Sequence, residues 1–328
     1  MGMKAAMFLI AGLLIGFWAG WYFKQLTNYR SQISNKPVVV ERPFLKYTIE
    51  NLGKREYRSQ IFMDEIAASN AAFFVQKFHF DSDGKNVTGL AHIPDNCVKC
   101  PVILQFRGYA DPQVYYPGYG TEHTAQEFAK AGFVSLAPDF LSFGGSASAS
   151  ADVFEARFET YTTALNLIAA ASSWDGSNGK IAIWGHSNGG QIALTVAEID
   201  RKNYPTAVWA PVTAGFPYSI LFYMNDNQEG DKNLRKKLAD FESVYDANLF
   251  SLIDYSDRIS APIEIDQGTA DDSVPVKWSD DFTKLLKKNN KDITYRVYPG
   301  ADHNLAGAWS QAVKNDIDFF GKKLGLTE

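Results

Sequence analysis

The sequence predicts an α/β fold: a mostly parallel central sheet with antiparallel leading strands, helices on both faces and a helical lid insertion. Three observations carry that prediction. From Pro101 onward, short apolar runs alternate with longer helical ones, the pattern of units that feed a parallel sheet. Ahead of them, residues 72–80 and 87–93 alternate apolar and polar side chains about Asp81-Ser-Asp-Gly84, which reads as a hairpin. Between the two halves of the alternating region stands Gly185-His-Ser-Asn-Gly189-Gly190, so Ser187 falls on a strand-to-helix turn in a G-x-S-x-G pattern.

Taken in order, the 328-residue chain begins with an uncharged apolar run at residues 5–23, after Lys4 and before Lys24. At a rise of about 1.5 Å per residue such a run can cross a hydrocarbon core of about 30 Å. We therefore expect residues 1–24 to be a membrane anchor or an uncleaved signal. Basic residues follow the span more than they precede it, which by itself places the remainder in the cytoplasm. The only two cysteines, Cys97 and Cys100, point the other way if they pair, because disulfides persist in oxidising compartments. A redox pair and two free thiols are the alternatives. The expectation is an extracytoplasmic domain, secreted if the segment is cleaved. Residues 25–60 read as a tether with one packed segment near Phe44, and residues 61–328 as the folded domain. A net charge of −5 offers no basic footprint for nucleic acid, so small molecules or short peptides are the expected substrates.

Within the domain the expected strands are residues 102–106, 133–137, 181–184, 207–210, 262–267 and 294–298. The expected helices are residues 124–131, 152–173, 191–199 and 308–324. The connection between residues 210 and 262 is too long for a simple crossover. With an apolar-aromatic stretch at 216–224 and a helical one near 234–241, it reads as a lid, about residues 213–260, over the ligand edge of the sheet.

A turn as sharp as the one at Ser187 leaves no room for a Cβ two residues before or after it, and Gly185 and Gly189 meet that demand. Gly190 lets the following helix lie close to the strand. Serine is a poor nucleophile until a base takes its proton, and the base needs a carboxylate to orient it. After Ser187 the one histidine is His303, just beyond the last expected strand. The loop after the preceding strand carries Asp271 and Asp272; we expect Asp271 to be the acid and Asp272 a turn or capping residue. The oxyanion donors expected are the Asn188 N–H and Tyr109, by hydroxyl or backbone, in the loop after residues 102–106. Tyr115, Tyr116, Phe216 and Tyr218 are expected to line the substrate pocket. His186 reads as packing; His79, His92 and His123 lack the partners of a ligand set. No metal or cofactor is implied.

These residues give the chain a family resemblance. The order Ser187, Asp271, His303 is that of the α/β-hydrolases, and Gly268-Thr-Ala-Asp-Asp-Ser-Val-Pro275 is similar to the acid loop of prolyl oligopeptidase family peptidases. Tyr109-Ala-Asp-Pro112 resembles the stretch where those enzymes place an oxyanion tyrosine. The resemblance, over about residues 70–325, implies a serine hydrolase acting on peptide bonds through an acyl-enzyme. The β-propeller usual in that family has no counterpart in this sequence, so a carboxylesterase or acyltransferase of the same fold stays an alternative. A third reading is a non-catalytic binding protein; it predicts a missing triad member, and none is missing.

Overall fold

The computed structural model describes residues 20–26, 41–224 and 228–326. The chain divides into two compact units, Met1–Arg42 and Pro43–Glu328. In the first, residues 20–26 are helical and exposed. The expected membrane span at residues 5–23 lies almost wholly outside the described residues, among which no helix is long and apolar enough to cross a membrane. The second unit opens with short helical turns at Pro43–Tyr47 and Ile49–Leu52, whose Tyr47, Ile49 and Leu52 are buried. The packed segment near Phe44 is thus part of the main unit.

Nine described strands form one sheet: β1 (Phe62–Ser69), β2 (Phe73–Ser82), β3 (Lys85–Pro94), β4 (Cys100–Phe106), β5 (Val134–Pro138), β6 (Ser177–His186), β7 (Thr206–Trp209), β8 (Ile263–Gly268) and β9 (Ile293–Tyr298), in the order β1-β2-β3-β5-β4-β6-β7-β8-β9. The pairings among β1, β2, β3 and β5 are antiparallel, and those from β5 through β9 are parallel. The β2–β3 hairpin turns at Asp83 and Gly84, both at positive φ, as a two-residue turn between right-twisted strands requires. Cys97, in the loop between β3 and β4, forms a disulfide with Cys100, the first residue of β4.

Strand periodicity sorts the core onto two faces. Val102, Leu104, Ile181 and Ile183 face one side and pack with α2 (Val153–Ser173) and α3 (Asn188–Asp200) through Phe158, Leu165 and Ile192. Their neighbours Ile103, Ala182 and Trp184 face the other side, with Phe128 of α1 (Glu122–Lys130) and Phe320 near the chain's end. Each such large side chain contributes roughly 1.5–3 kcal/mol by its burial. Between β7 and β8 run α4 (Tyr218–Phe222), α5 (Glu229–Val244) and two 3₁₀ turns, Ala247–Phe250 and Leu252–Arg258. Then come α6 (Val276–Lys288) and α7 (Trp309–Lys323).

Under α7 lies a polar group unusual for a sheet interior. Glu264 and Asp266 of β8 and Asp316 of α7 are fully buried, with carboxylate oxygens within 4.8 Å of one another. The Trp184 and Trp209 indoles donate to Asp316 at 3.1 and 2.9 Å, the Tyr298 hydroxyl to Asp266 at 2.7 Å, and Arg296 to Glu264 at 3.0 Å. Burial, then mutual repulsion, raises the pKa of Asp266 to about 8 and that of Asp316 well above its ordinary value. The folded state therefore keeps a proton that the unfolded chain releases near pH 4. The cluster is most stabilising below that pH and loses its contribution as pH rises through about 8, with a slope of at most about 1.4 kcal/mol per pH unit per group. Asp266→Asn is expected to flatten this decline, read as a smaller fall in Tm between pH 5 and 8 than the parent shows. An equal fall in both proteins would mean that Asp266 carries no retained proton.

Candidate active site

The parallel strands end at one edge of the sheet, and the loops leaving β4, β6, β8 and β9 meet there, as β-to-α loops do in open α/β sheets. At the end of β6 the chain reverses into α3 at Ser187, whose φ of 57° and ψ of −120° lie outside ordinary L-residue space. Three backbone bonds hold it there. The Ser187 N–H donates to the Trp209 carbonyl at 2.9 Å, and the Ser187 carbonyl accepts from Gln191 and Val212, each at 3.2 Å. Strain of this kind persists only where the surroundings over-determine it. A Cβ on Gly185 would stand 2.5 Å from the Gly189 carbonyl oxygen, and one on Gly189 would run into the Phe106 carbonyl at the end of β4. The first collision is the expected one, and the second shows that Gly189 also admits the neighbouring strand.

Asp271 leaves the end of β8 and His303 the end of β9. The His303 Nδ1 stands 2.9 and 3.1 Å from the two Asp271 carboxylate oxygens. Three further donors converge on the same carboxylate: the Val274 N–H at 2.8 Å, the Ser273 N–H at 2.9 Å and the Gln267 amide at 2.9 Å. Gln267 is itself oriented by the Ser279 hydroxyl at 2.7 Å. Burial raises the Asp271 pKa, but the His303 bond and the backbone amides outweigh it, and the net position is below ordinary aspartate. An ionised carboxylate only accepts, so Nδ1 carries the imidazole proton and Nε2 is left bare, which is the tautomer of a general base. Asp272 is exposed and accepts from the Ser273 hydroxyl at 3.1 Å.

Ser187, Asn188, His303 and Tyr109 all line one cavity of about 800 Å³. Asn188 is the first residue of α3, where the N–H has no intrahelical acceptor and the helix dipole favours negative charge. Tyr109 is largely exposed at the rim. Before it, buried Arg107 ties the loop down. Its guanidinium donates to the carbonyls of Gly108 and Asp139, each at 3.0 Å, and lies over the rings of Phe143 and Tyr115 at 4.0 and 4.8 Å.

The four residues expected to line the substrate pocket sit elsewhere. Tyr115 turns inward and its hydroxyl donates to buried Asp139 at 2.5 Å, joining the loops after β4 and β5. Tyr116 borders a separate cavity of about 290 Å³. Phe216 is buried among Phe154, Phe158, Phe241 and Phe250, because a large apolar ring gains more in that aromatic cluster than at a wet wall. Tyr218 points to solvent. The lid does contribute to the main cavity, through Ser219, Ile220, Tyr223 and Met224 around α4 and Asp231 and Leu234 of α5. Tyr223 also donates its hydroxyl to the Ser273 carbonyl of the acid loop at 3.2 Å. Arg157 of α2 reaches the cavity with a guanidinium nitrogen 3.3 Å from the Gln191 side-chain oxygen. Nothing in the sequence singles it out, since Glu155 and Glu159 flank it on the same helix.

Residues 88–316 match the dienelactone hydrolase family. Dipeptidyl peptidase family member 6 of Caenorhabditis elegans is 26% identical over 144 residues, covering 42% of this chain and 19% of that protein. The chain thus matches about a fifth of the length of that curated relative. Acetyl xylan esterase 1 from Thermoanaerobacterium sp. JW/SL YS485 superposes with a TM-score of 0.62 at 14% identity, over 85% of this chain and 94% of that one. A puromycin-hydrolyzing peptidase of Mycobacterium tuberculosis superposes with a TM-score of 0.57 at 17% identity, over 81% of this chain and 40% of that one. At these identities the two structures show a shared α/β-hydrolase fold.

Proposed function

The chain belongs to the dienelactone hydrolase family, and on that footing we propose that it is a serine hydrolase cleaving a small-molecule ester through an acyl-enzyme. The observation that carries the reading is the His303–Asp271 hydrogen bond in the loops beside a strained Ser187, with Ser187 and His303 on one cavity wall. In the proposed cycle His303 Nε2 takes the Ser187 proton as Oγ attacks the ester carbonyl, and Asp271 holds the resulting imidazolium. The Asn188 N–H and Tyr109 stabilise the oxyanion. His303 returns the proton to the departing alcohol, and water, deprotonated by the same imidazole, releases the acid.

Val212, Ile220, Met224, Leu234 and Val274 give the cavity mainly apolar walls, which suits an alkyl or aryl group on the substrate. The acid-loop resemblance to prolyl oligopeptidase peptidases favours a second reading, hydrolysis of short peptides. Anchoring of the N-terminal segment to a membrane belongs to the same set of proposals. A panel of p-nitrophenyl esters and aminoacyl or dipeptidyl anilides separates the two substrates. We expect kcat/KM for the better esters to exceed that for the anilides by at least about 100-fold, or roughly 2.7 kcal/mol of transition-state stabilisation. Anilide turnover equal to or above ester turnover would establish the peptidase instead.

A further inference from the structure

His186 is the last residue of β6 and the chain neighbour of Ser187, and the proposed cycle leaves it without a task. Its ring nevertheless meets the loop that carries the base and lies beside the loop after β4. Nε2 lies 2.9 Å from the backbone carbonyl oxygen of His303. A carbonyl only accepts, so Nε2 carries the proton and Nδ1 is bare. That bare side faces the oxyanion loop: a Cβ added to Gly108 would stand 3.5 Å from His186 Nδ1 and 3.1 Å from the Ser187 Cβ. The His186 and His303 rings lie 4.7 Å apart, inclined at 45°, with the Trp184 ring 6.4 Å away on β6.

The placement answers a mechanical need. Asp271 grips the His303 imidazole at Nδ1, and a ring held at one point can still swing about it and carry Nε2 away from Ser187. A restraint on the His303 backbone anchors the other end of that side chain and narrows the swing, and here it comes from the residue bonded directly to the nucleophile. Charge matters as well, because a second cation this close would oppose proton uptake by His303. Burial first, and the neighbouring His303 second, bring the His186 pKa down to about 4, so its ring is neutral at ordinary pH.

We propose that His186 is a positioning residue: its Nε2–H donates to the His303 carbonyl and holds the loop that carries the base beside Ser187. The proposal rests on reading Ser187, Asp271 and His303 as a triad. His186→Phe keeps a flat ring and removes the donor, whereas His186→Gln keeps a donor of similar reach. On p-nitrophenyl butyrate the phenylalanine variant is expected to lose about 10–100-fold in kcat with KM changed less than about threefold, as suits a displacement of the base by under an ångström. The glutamine variant is expected to recover most of that loss, and both should melt within a few degrees of the parent. If the phenylalanine variant does not fold, His186→Met, of similar length and without a donor, takes its place. A kcat within about threefold of the parent in the donor-free variant, or a glutamine variant as impaired as it, would overturn the proposal. Failure of the triad reading is a separate outcome, since it shows as activity surviving in Ser187→Ala whatever stands at position 186.

Discussion

Ser187→Ala is expected to lower kcat by about 10⁴-fold or more on the best ester substrate, with KM little changed. The reason is that, among the described residues, no other hydroxyl is presented on the wall of the cavity by a strained turn with a helix N-terminus behind it. Ser187 sits at φ 57° with its N–H and carbonyl fully engaged, so the alanine variant should keep the same backbone and bind substrate as before. Labelling by a fluorophosphonate, which needs the serine oxygen, should vanish in parallel. A glycine at the same position tests the strain itself: Ser187→Gly relieves the positive φ, so it should be equally inactive while melting at or above the temperature of the alanine variant. Residual activity within about tenfold of the parent would remove Ser187 from the nucleophile's role and with it the proposed mechanism.

Asp271→Asn is expected to cost about 10³–10⁴-fold in kcat, and Asp272→Asn less than about threefold. The two neighbours differ in what their carboxylates meet. Asp271 accepts from His303, from two backbone amides and from Gln267, and an asparagine there either turns an N–H toward His303 Nδ1 or loses the backbone donors. The first arrangement favours the tautomer with the proton on Nε2, which cannot act as a base, and the second leaves the Ser273 and Val274 N–H groups facing a donor. Asp272 meets solvent and the Ser273 hydroxyl. The pH dependence follows from the sign of the shift. The folded-state pKa of Asp271 lies below that of the unfolded chain, so its contribution to stability is present above about pH 4 and is lost as pH falls through the folded value. Kinetics of both variants on one ester decide the matter, and a larger loss at Asp272 would transfer the acid's role to it.

Much of this architecture follows from patterns that act over a few residues. The parallel strands, the β2–β3 hairpin and the elbow at Ser187 are each signalled by spacing or by a turn residue within their own segment. Two elements escape that reading. β1 is mostly exposed along its length and shows no clean alternation. The helix α6 places Ser279, Phe282, Thr283 and Leu286 inward at helical spacing, but two of those four are hydroxyl residues, which blurs the apolar stripe.

The sequence by itself determined the succession of the hairpin and the parallel strands, the edge of the sheet where chemistry would gather, and Ser187, Asp271 and His303 as residues brought to that edge. All three stand at strand ends, so local strand periodicity is enough to put them there. What only the tertiary structure decided is which way the remaining side chains turn. Tyr115 turns to Asp139, 24 positions on; Phe216 goes into an aromatic cluster with Phe158 and Phe241; Ile220 and Tyr223 take the cavity wall instead. His186, which reads as packing from its place beside the nucleophile, reaches a carbonyl 117 residues away. Such orientations are set by partners distant in the chain, where burial of apolar surface and satisfaction of polar atoms are settled together, and no local pattern encodes that competition.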